Sequence, residues 1–476
     1  MNRAKLARQV LTALSNCKEN GCPHHAKAAE QPIRAARLNE FSSSSSSNSS
    51  KEYAFEWISS TLRIGSGVTA EVGMDVRNLG AKKTMVLTDD GVSWTPAFLA
   101  VVDSLKAAGQ KFDVFNRVRV EPTDTSMLDA IEAARCGQFD SFVAVGGGST
   151  IDTAKVAALY ASNTDADFFD FVAKPFGKAL TPTKPMLPLI AVPTTSGTGS
   201  ETTGVAIFDY EEKDCKTAIR HRCIKPLLAL VDPLNVKTLP RHVVIYSGFD
   251  VLCHALESYT ALPFDQRTPR PADPSQRPVY QGSNPISDVW AREALQIVSK
   301  YFRRAVNDPE DVEARSQMLF ASSMAGSGFG NAGVHLCHGL SYPISSQVKS
   351  FRSEDYPPDH ALIPHGLSVV MTACADFQFT SAATPERHAQ AARFLGAKIE
   401  PSAKAEIVGG ALSDLIKGFM QDFRVPNGLS ELGFGRDDVG RLTNAAINSL
   451  SALQISPRQH TTDAIAKIYE DSFTVY

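Results

Sequence analysis

The 476-residue sequence lacks three features that would place it at once. No uninterrupted apolar run reaches the ~18–20 residues of a membrane-spanning helix, so the sequence predicts no membrane span. Positive charge is not in excess: 48 Lys and Arg face 51 Asp and Glu, a formal net charge of −3, which gives no footprint for a nucleic-acid partner. The eight cysteines include no C-x-x-C pair, and their scatter fits reduced thiols better than a disulfide framework. Internal repeats are also missing. What is present is an ordinary globular composition, 43% hydrophobic and 21% charged, on a chain long enough for two domains of roughly 200 residues.

Acids are absent from the start of the chain until Glu19, while Arg3, Lys5 and Arg8 alternate with Leu6, Val10 and Leu14 at helical spacing. A basic amphipathic helix poor in acids is the pattern of a mitochondrial transit peptide, expected over residues 1–40, and it places the protein in the mitochondrial matrix. The serine-rich stretch that follows predicts a flexible linker at 41–52.

From about Lys82, short β-branched runs alternate with helical stretches, the pattern of a parallel sheet built from βα units. Thr84–Thr88, Lys111–Val118, Ser141–Val145, Leu189–Val192 and Leu228–Val231 read as strands, and Val205–Arg220 as an antiparallel excursion. Beyond Pro233 helical patterns dominate. The expected division is an N-terminal α/β domain at 53–238 and an all-helical domain at 239–476. Pro263–Pro285 and Pro343–Pro364 read as irregular inserts.

Gly146, Gly147, Gly148 and Ser149 fall where a strand becomes a helix. Glycines there let backbone N–H groups approach a phosphate, and the helix N-terminus adds partial positive charge. The loop Pro193–Glu201 (PTTSGTGSE) sets five hydroxyls around two glycines, which suits phosphate and ribose oxygens. Asp89, ending the first strand, reads either as an acid that bonds a ribose hydroxyl or as a solvated turn residue.

Asp250, His254 and Glu257 recur at i, i+4 and i+7 within the apolar run Gly248–Thr260 and share one helical face. Asp250 and His254 together present two metal donors; Glu257 either orients His254 or faces outward. His335, His338, His360 and His365 supply further imidazoles downstream. His221, His242, His388 and His460 read as surface residues. An Asp/His/His/His set suits Fe(II) or Zn(II) and excludes a sulfur-rich zinc site.

These elements, in this order, resemble the iron-containing (group III) alcohol dehydrogenase family. The shared motifs are VGGGSTIDTAK at Val145–Lys155, PTTSGTGSE at Pro193–Glu201, GFDVLCHALESY at Gly248–Tyr259, HGLSYP at His338–Pro343 and PHG at Pro364–Gly366, and the match spans about residues 53–476. The resemblance implies a Rossmann-like dinucleotide-binding domain followed by an all-α metal-binding domain, the dehydroquinate synthase-like architecture. Carried over motif by motif, it implies a divalent metal on Asp250, His254, His338 and His365. It implies NAD(H) on Asp89, Gly147, Gly148, Ser149, Thr194, Thr195, Thr198 and Lys216. Tyr342 stands where many members have a histidine that relays protons.

That replacement, the two inserts, the ETTGVAIFDYE run at Glu201–Glu211 and the transit-like N-terminus resemble one branch of the family. Members of that branch pass a hydride through a retained nicotinamide from a hydroxyacid to a 2-oxoacid. The implied reaction oxidises 4-hydroxybutyrate to succinate semialdehyde and reduces 2-oxoglutarate to D-2-hydroxyglutarate. Rival readings are an NAD-linked alcohol dehydrogenase that releases NADH each turnover and a non-catalytic NAD- or metal-binding protein. Both substrates carry carboxylates, so a cationic anchor is expected. Arg267, Arg270 and Arg277 in the first insert, or Lys349 and Arg352 in the second, are candidates. A homo-oligomeric state is left open.

Overall fold

The computed structural model describes residues 50–400, 402–448 and 453–476. The expected transit peptide at 1–40 and most of the expected linker lie outside the described residues. From Ser50 onward the chain forms one compact unit.

The strands are β1 (Thr61–Ile64), β2 (Thr84–Leu87), β3 (Phe112–Phe115), β4 (Ser141–Gly146), β5 (Leu189–Pro193), β6 (Val205–Tyr210), β7 (Cys215–Arg220) and β8 (Leu228–Val231). Six of them make a parallel sheet in the order β1-β8-β5-β4-β2-β3, and β6 pairs with β7 as a separate antiparallel hairpin. Every residue of β2, β4, β5 and β8 is buried. A parallel sheet covered on both faces requires such continuous apolar strands. β3 is shorter than its sequence suggests because it lies at the sheet edge, where Asp113 and Val114 are exposed.

Helices α1 (Val72–Asn78), α2 (Pro96–Ala107), α3 (Asp124–Gly137), α4 (Gly148–Ser162) and the single turn α5 (Phe168–Phe171) accompany this sheet. The rest of the chain is helical: α6 (Arg241–Thr260), α7 (Pro285–Asn307), α8 (Val312–Ala332), α9 (Leu336–Ser346), α10 (His365–Thr380), α11 (Pro385–Phe394), α12 (Ala405–Phe423), α13 (Val439–Asn448) and α14 (Thr462–Asp471). α6 is the axis of this region. From Gly248 to Thr260 all of its residues are buried, as expected of a helix that is apolar nearly all round. It packs against α7, α8 and α10. The approach to α10 is close: a Cβ on Gly366 would lie 1.9 Å from the Tyr246 carbonyl oxygen, so only glycine permits it.

Two helices depart from the sequence reading. α9 runs through Pro343, where the second insert was expected to begin, and α10 lay unrecognised beyond that insert. Leu336–Ser345 is buried throughout, so tertiary packing offsets the proline's missing N–H and ring clash. The irregular segment therefore starts after Ser346.

The first insert is tied to the chain that precedes β1. Glu52 N–H donates to the Arg267 carbonyl at 3.0 Å, and Arg270 N–H donates to the Ser50 carbonyl at 2.9 Å. Arg277 donates through Nε and Nη2, each at 3.0 Å, to the buried Glu52 carboxylate. Glu56 N–H donates to Gln281 Oε1 at 2.8 Å, and Gln281 Nε2 returns a bond to the Glu56 carbonyl at 2.7 Å. Phe55 meets Phe264 edge-on at 4.9 Å, and Asn331 exchanges two bonds with the Ile58 backbone. Residues 50–58 thus form a strap across the insert.

The Arg277 hydrogen bonds, working against burial, hold the Glu52 carboxyl at about 2, below its usual 4.5. A folded value below the unfolded one means that the ion pair contributes fully above pH 4.5 and loses its contribution as pH falls toward 2. Glu52→Gln should cost about 1–3 kcal/mol of unfolding free energy at pH 7. In urea titrations at stepped pH, the gap to wild type should narrow steadily below pH 4.5.

Candidate metal centre and cofactor cleft

α6 presents Asp250 and His254, α9 presents His338, and α10 begins with His365. Three imidazole Nε2 atoms converge on one oxygen, Asp250 Oδ1: His338 at 3.3 Å, His254 at 3.6 Å and His365 at 3.7 Å. Donors bound about 2.0–2.2 Å from one tetrahedral ion lie about 3.3–3.6 Å from each other. The ligand atoms of Asp250, His254 and His338 lie within 4.8 Å of one another and group as a cation site, with His365 beside them at 3.7 Å from Asp250. Asp250, His254 and His338 are buried, while His365 is partly open toward the cleft. Burial pushes the Asp250 carboxyl upward, but the facing imidazoles prevail and keep it ionised. Burial lowers His254 to about 3, so it stays neutral with a lone pair to give. Phe329 stacks on the His254 ring at 3.9 Å and closes that side.

Glu257 does neither of the things its sequence position suggested. It is fully buried, one turn beyond His254, and its Oε2 accepts from His338 Nδ1. Its Oε1 accepts the His335 backbone N–H at 3.0 Å. The carboxylate holds the proton of His338 on Nδ1 and leaves Nε2 free to face Asp250. Burial opposes a charge on His338, and Glu257 with Asp250 outweighs it, so a second proton on Nε2 is what a cation at Asp250 would displace. Behind Glu257 lie Cys337, which donates to Asp376 at 2.8 Å, and His335, which bonds Thr260 at 3.1 Å. Burial, and Glu257 after it, raise the Asp376 carboxyl well above its usual value. His335 is a core residue. His388 is not on the surface as expected: it is buried between Thr380 and Thr384 and bonded to both.

On the other side, β4 turns into α4 through Gly146–Gly148. A Cβ on Gly147 would meet Thr195 at 3.0 Å, and one on Gly148 would meet Thr198 at 2.6 Å. The glycine turn and the hydroxyl loop after β5 therefore pack against each other, backbone exposed to the cleft. Their cavity, about 800 Å³, is lined by Asp89, Gly147, Gly148, Ser149 and Thr194 among others, and it extends to Asp250 and His365. A dinucleotide fits a cleft of that size with N–H groups at a helix N-terminus. The Asp89 carboxylate accepts from Val92 N–H at 2.9 Å and from the Thr150 hydroxyl at 3.3 Å, and burial raises its pKa.

A second, smaller cavity of about 100 Å³ lies against the metal donors. Asp250, His254, His338 and His365 line it together with Lys216, Tyr280 and Tyr342. Among the described residues, Lys216 is its one Lys or Arg, and it donates to Glu121 at 2.6 Å and Asp209 at 2.9 Å. Burial alone would lower the Lys216 ammonium, and these acids more than compensate. Glu121 adopts a left-handed backbone, φ 55°, with its N–H donating to Ser149 Oγ at 3.1 Å. Such strain is held only where the surroundings impose it, often at a site. No sequence signal marked Glu121 or Tyr280.

The arginines and lysine named as substrate anchors lie elsewhere. Arg277 is engaged by Glu52, Lys349 by Asp438 and Arg352 by the Pro358 carbonyl. Arg267 and Arg270 belong to the strap contact. None of them lines the cavity at the metal donors.

A parallel α/β sheet with a glycine–hydroxyl cleft, faced by a helical bundle carrying one acid and three histidines, defines a metal-assisted nucleotide-dependent oxidoreductase architecture. Residues 59–233 match the model for iron-containing alcohol dehydrogenase, and 279–473 match that for the Fe-containing alcohol dehydrogenase family, C-terminal. The chain belongs to the iron-containing alcohol dehydrogenase family. It is 60% identical over 473 residues to the hydroxyacid-oxoacid transhydrogenase, mitochondrial, of Caenorhabditis briggsae, covering 99% of this chain and 100% of that protein. The protein of the same name from Rattus norvegicus is 51% identical over 449 residues, covering 94% and 96% respectively. Among solved structures, alcohol dehydrogenase from Oenococcus oeni superposes with a TM-score of 0.76 at 25% identity, covering 88% of this chain and all of that one.

If Glu257 fixes the His338 tautomer, Glu257→Gln should weaken metal affinity about 10–100-fold while the fold persists. Chelator competition against the metal-loaded protein, with circular dichroism as the control, measures this. Unchanged affinity would remove Glu257 from the centre.

Proposed function

We propose that the chain is a hydroxyacid-oxoacid transhydrogenase of the mitochondrial matrix. It would oxidise 4-hydroxybutyrate to succinate semialdehyde and reduce 2-oxoglutarate to D-2-hydroxyglutarate with NAD(H) retained between the halves. The observation that carries this reading is the shared border of the two cavities: Asp250 and His365 line the dinucleotide-sized cleft and the small cavity alike. A substrate oxygen at the four donors therefore sits where the cofactor cleft ends.

A divalent ion, Fe(II) or Zn(II), would supply Lewis acidity at the substrate oxygen there, and a bound nicotinamide would supply the hydride acceptor and donor. The chain's own residues do the rest. Asp250, His254, His338 and His365 hold the ion, with Glu257 fixing His338. Gly147, Gly148 and Ser149 offer backbone and hydroxyl donors to the pyrophosphate, and Thr194, Thr195 and Thr198 close over the cofactor. Asp89 disfavours a 2′-phosphate, which supports NAD over NADP. Lys216, expected at the nucleotide, lines the small cavity and not the dinucleotide-sized cleft. Phe329 and the apolar walls exclude water from the reacting atoms. Tyr342 has no hydrogen-bond partner for its hydroxyl among the described residues and lines the small cavity, which supports a role as proton relay. The 60% identity to a protein named for this activity supports the substrate class.

The test is turnover of 4-hydroxybutyrate by the purified protein without added NAD, with and without 2-oxoglutarate. Succinate semialdehyde and D-2-hydroxyglutarate should appear together in equal amounts, only when both substrates are present. Turnover that depends on free NAD and accumulates NADH would instead assign a simple dehydrogenase.

A further inference from the structure

Among the described residues, the small cavity has no unengaged lysine or arginine for a substrate carboxylate, since its only candidate, Lys216, is taken by two acids. It does have Tyr280. This residue is 9% exposed, lines the cavity with the metal donors, and does not line the cofactor cleft. Its hydroxyl makes no hydrogen bond among the described residues and is not sealed in the core, so it is accessible from the cavity that the residue lines. Arg220 lies over the Tyr280 ring, its Cζ 5.8 Å from the centroid, and makes no ion pair among the described residues. Its Nε is buried without a partner. The cation adds positive potential at this end of the cavity.

Tyr280 also explains the strap. It belongs to the first insert, between Arg277 and Gln281, and those two residues are the ones that Glu52 and Glu56 hold. On the inner side, Gln281 N–H donates to the Asn331 carbonyl at 2.8 Å, and Gly282 N–H to the Ala332 carbonyl at 2.9 Å. Gly333 comes so near that its Cβ would lie 2.7 Å from Tyr280 Cβ, and its φ of 99° favours glycine in any case. The ring is thus pinned from both neighbours and from beneath.

We propose that Tyr280 is a substrate-binding residue whose hydroxyl donates to the substrate carboxylate, and that the strap of residues 50–58 positions it. The carboxylate role rests on the transhydrogenase reading; the positioning by the strap does not. The insert is then a device for bringing a phenol into the cavity, and its arginines act on the strap.

The test uses the full-length holoprotein and the variants Tyr280→Phe, Glu52→Gln and Gln281→Ala. Tyr280→Phe should raise KM for 4-hydroxybutyrate about tenfold, as loss of a hydrogen bond to a charged group does, with kcat within about twofold. Glu52→Gln and Gln281→Ala should raise the same KM less, and should speed amide hydrogen exchange in residues 274–284, read without substrate. Restoring the carboxylate as Glu52→Asp should return both readouts toward wild type. An unchanged KM in Tyr280→Phe overturns the carboxylate role. Unchanged exchange and KM in both strap variants, even with a lowered melting temperature, overturns the positioning role. Faster exchange in the strap variants of a protein that turns over no hydroxyacid would sink the transhydrogenase reading and the carboxylate role, and leave the positioning role standing.

Discussion

A carboxylate taken out of water must be met by donors or cations, and in this chain Asp250 is met by three imidazoles. The structure follows from that demand. His254 arrives one helical turn away, at no extra architectural expense. His338 and His365 have to be brought from two other helices, and α9 and α10 are packed against α6 to bring them. The contact at Gly366, where no side chain fits, is what lets α10 start beside Asp250. An isolated buried charge would cost several kcal/mol, so the four groups are stable together or as ligands of one ion. A second buried carboxylate, Glu257, repeats the logic two turns on, and it meets His338 from the opposite ring nitrogen.

The same constraint divides what the sequence could reveal from what it could not. Asp250 and His254 were legible as a pair because a helix makes i and i+4 neighbours whatever the fold. The sheet was legible too: its buried strands are apolar without interruption, and β4 leads straight into the glycine turn. His338 and His365 lie 88 and 115 residues from Asp250, and no local periodicity links them to it. They were reached through motif resemblance. Glu257 shows the limit most clearly. Its place on the α6 face was read correctly, but its partner comes from α9, so tertiary packing alone decides which imidazole it bonds. His388 failed for a related reason: its charged neighbours in sequence suggested surface, whereas the hydroxyls of Thr380 and Thr384 satisfy it inside.

The proline-bearing inserts were hard to read for a different reason. Proline argues against helix only where the backbone has alternatives, and α9 is buried densely enough to carry Pro343. In the first insert the three arginines looked like substrate anchors because charge in a loop near a site invites that reading. Their partners were uncountable from sequence: Glu52 lies 225 residues before Arg277. Once that pair is drawn, the arginines serve folding, and the substrate-facing group is the uncharged Tyr280 that follows them.

This arrangement bears on how one fold changes its substrate. The four donors and the glycine–hydroxyl cleft supply chemistry that does not depend on what else the substrate carries. Selectivity for a carboxylate has to come from the rest of the small cavity, where Tyr280 and Tyr342 lie and Arg220 backs the Tyr280 ring. Two of these come from segments outside the metal motifs, one from the insert and one from β7. Charged recognition by phenols beside a guanidinium also avoids placing a bare ammonium near the metal donors, where Lys216 is already neutralised by Glu121 and Asp209. A wall built this way can be altered without disturbing Asp250. Its cost is rigidity that the insert cannot provide alone, because an irregular loop of that length has few internal bonds to hold a side chain in place. The chain meets that need by borrowing its own N-terminal segment as a strap.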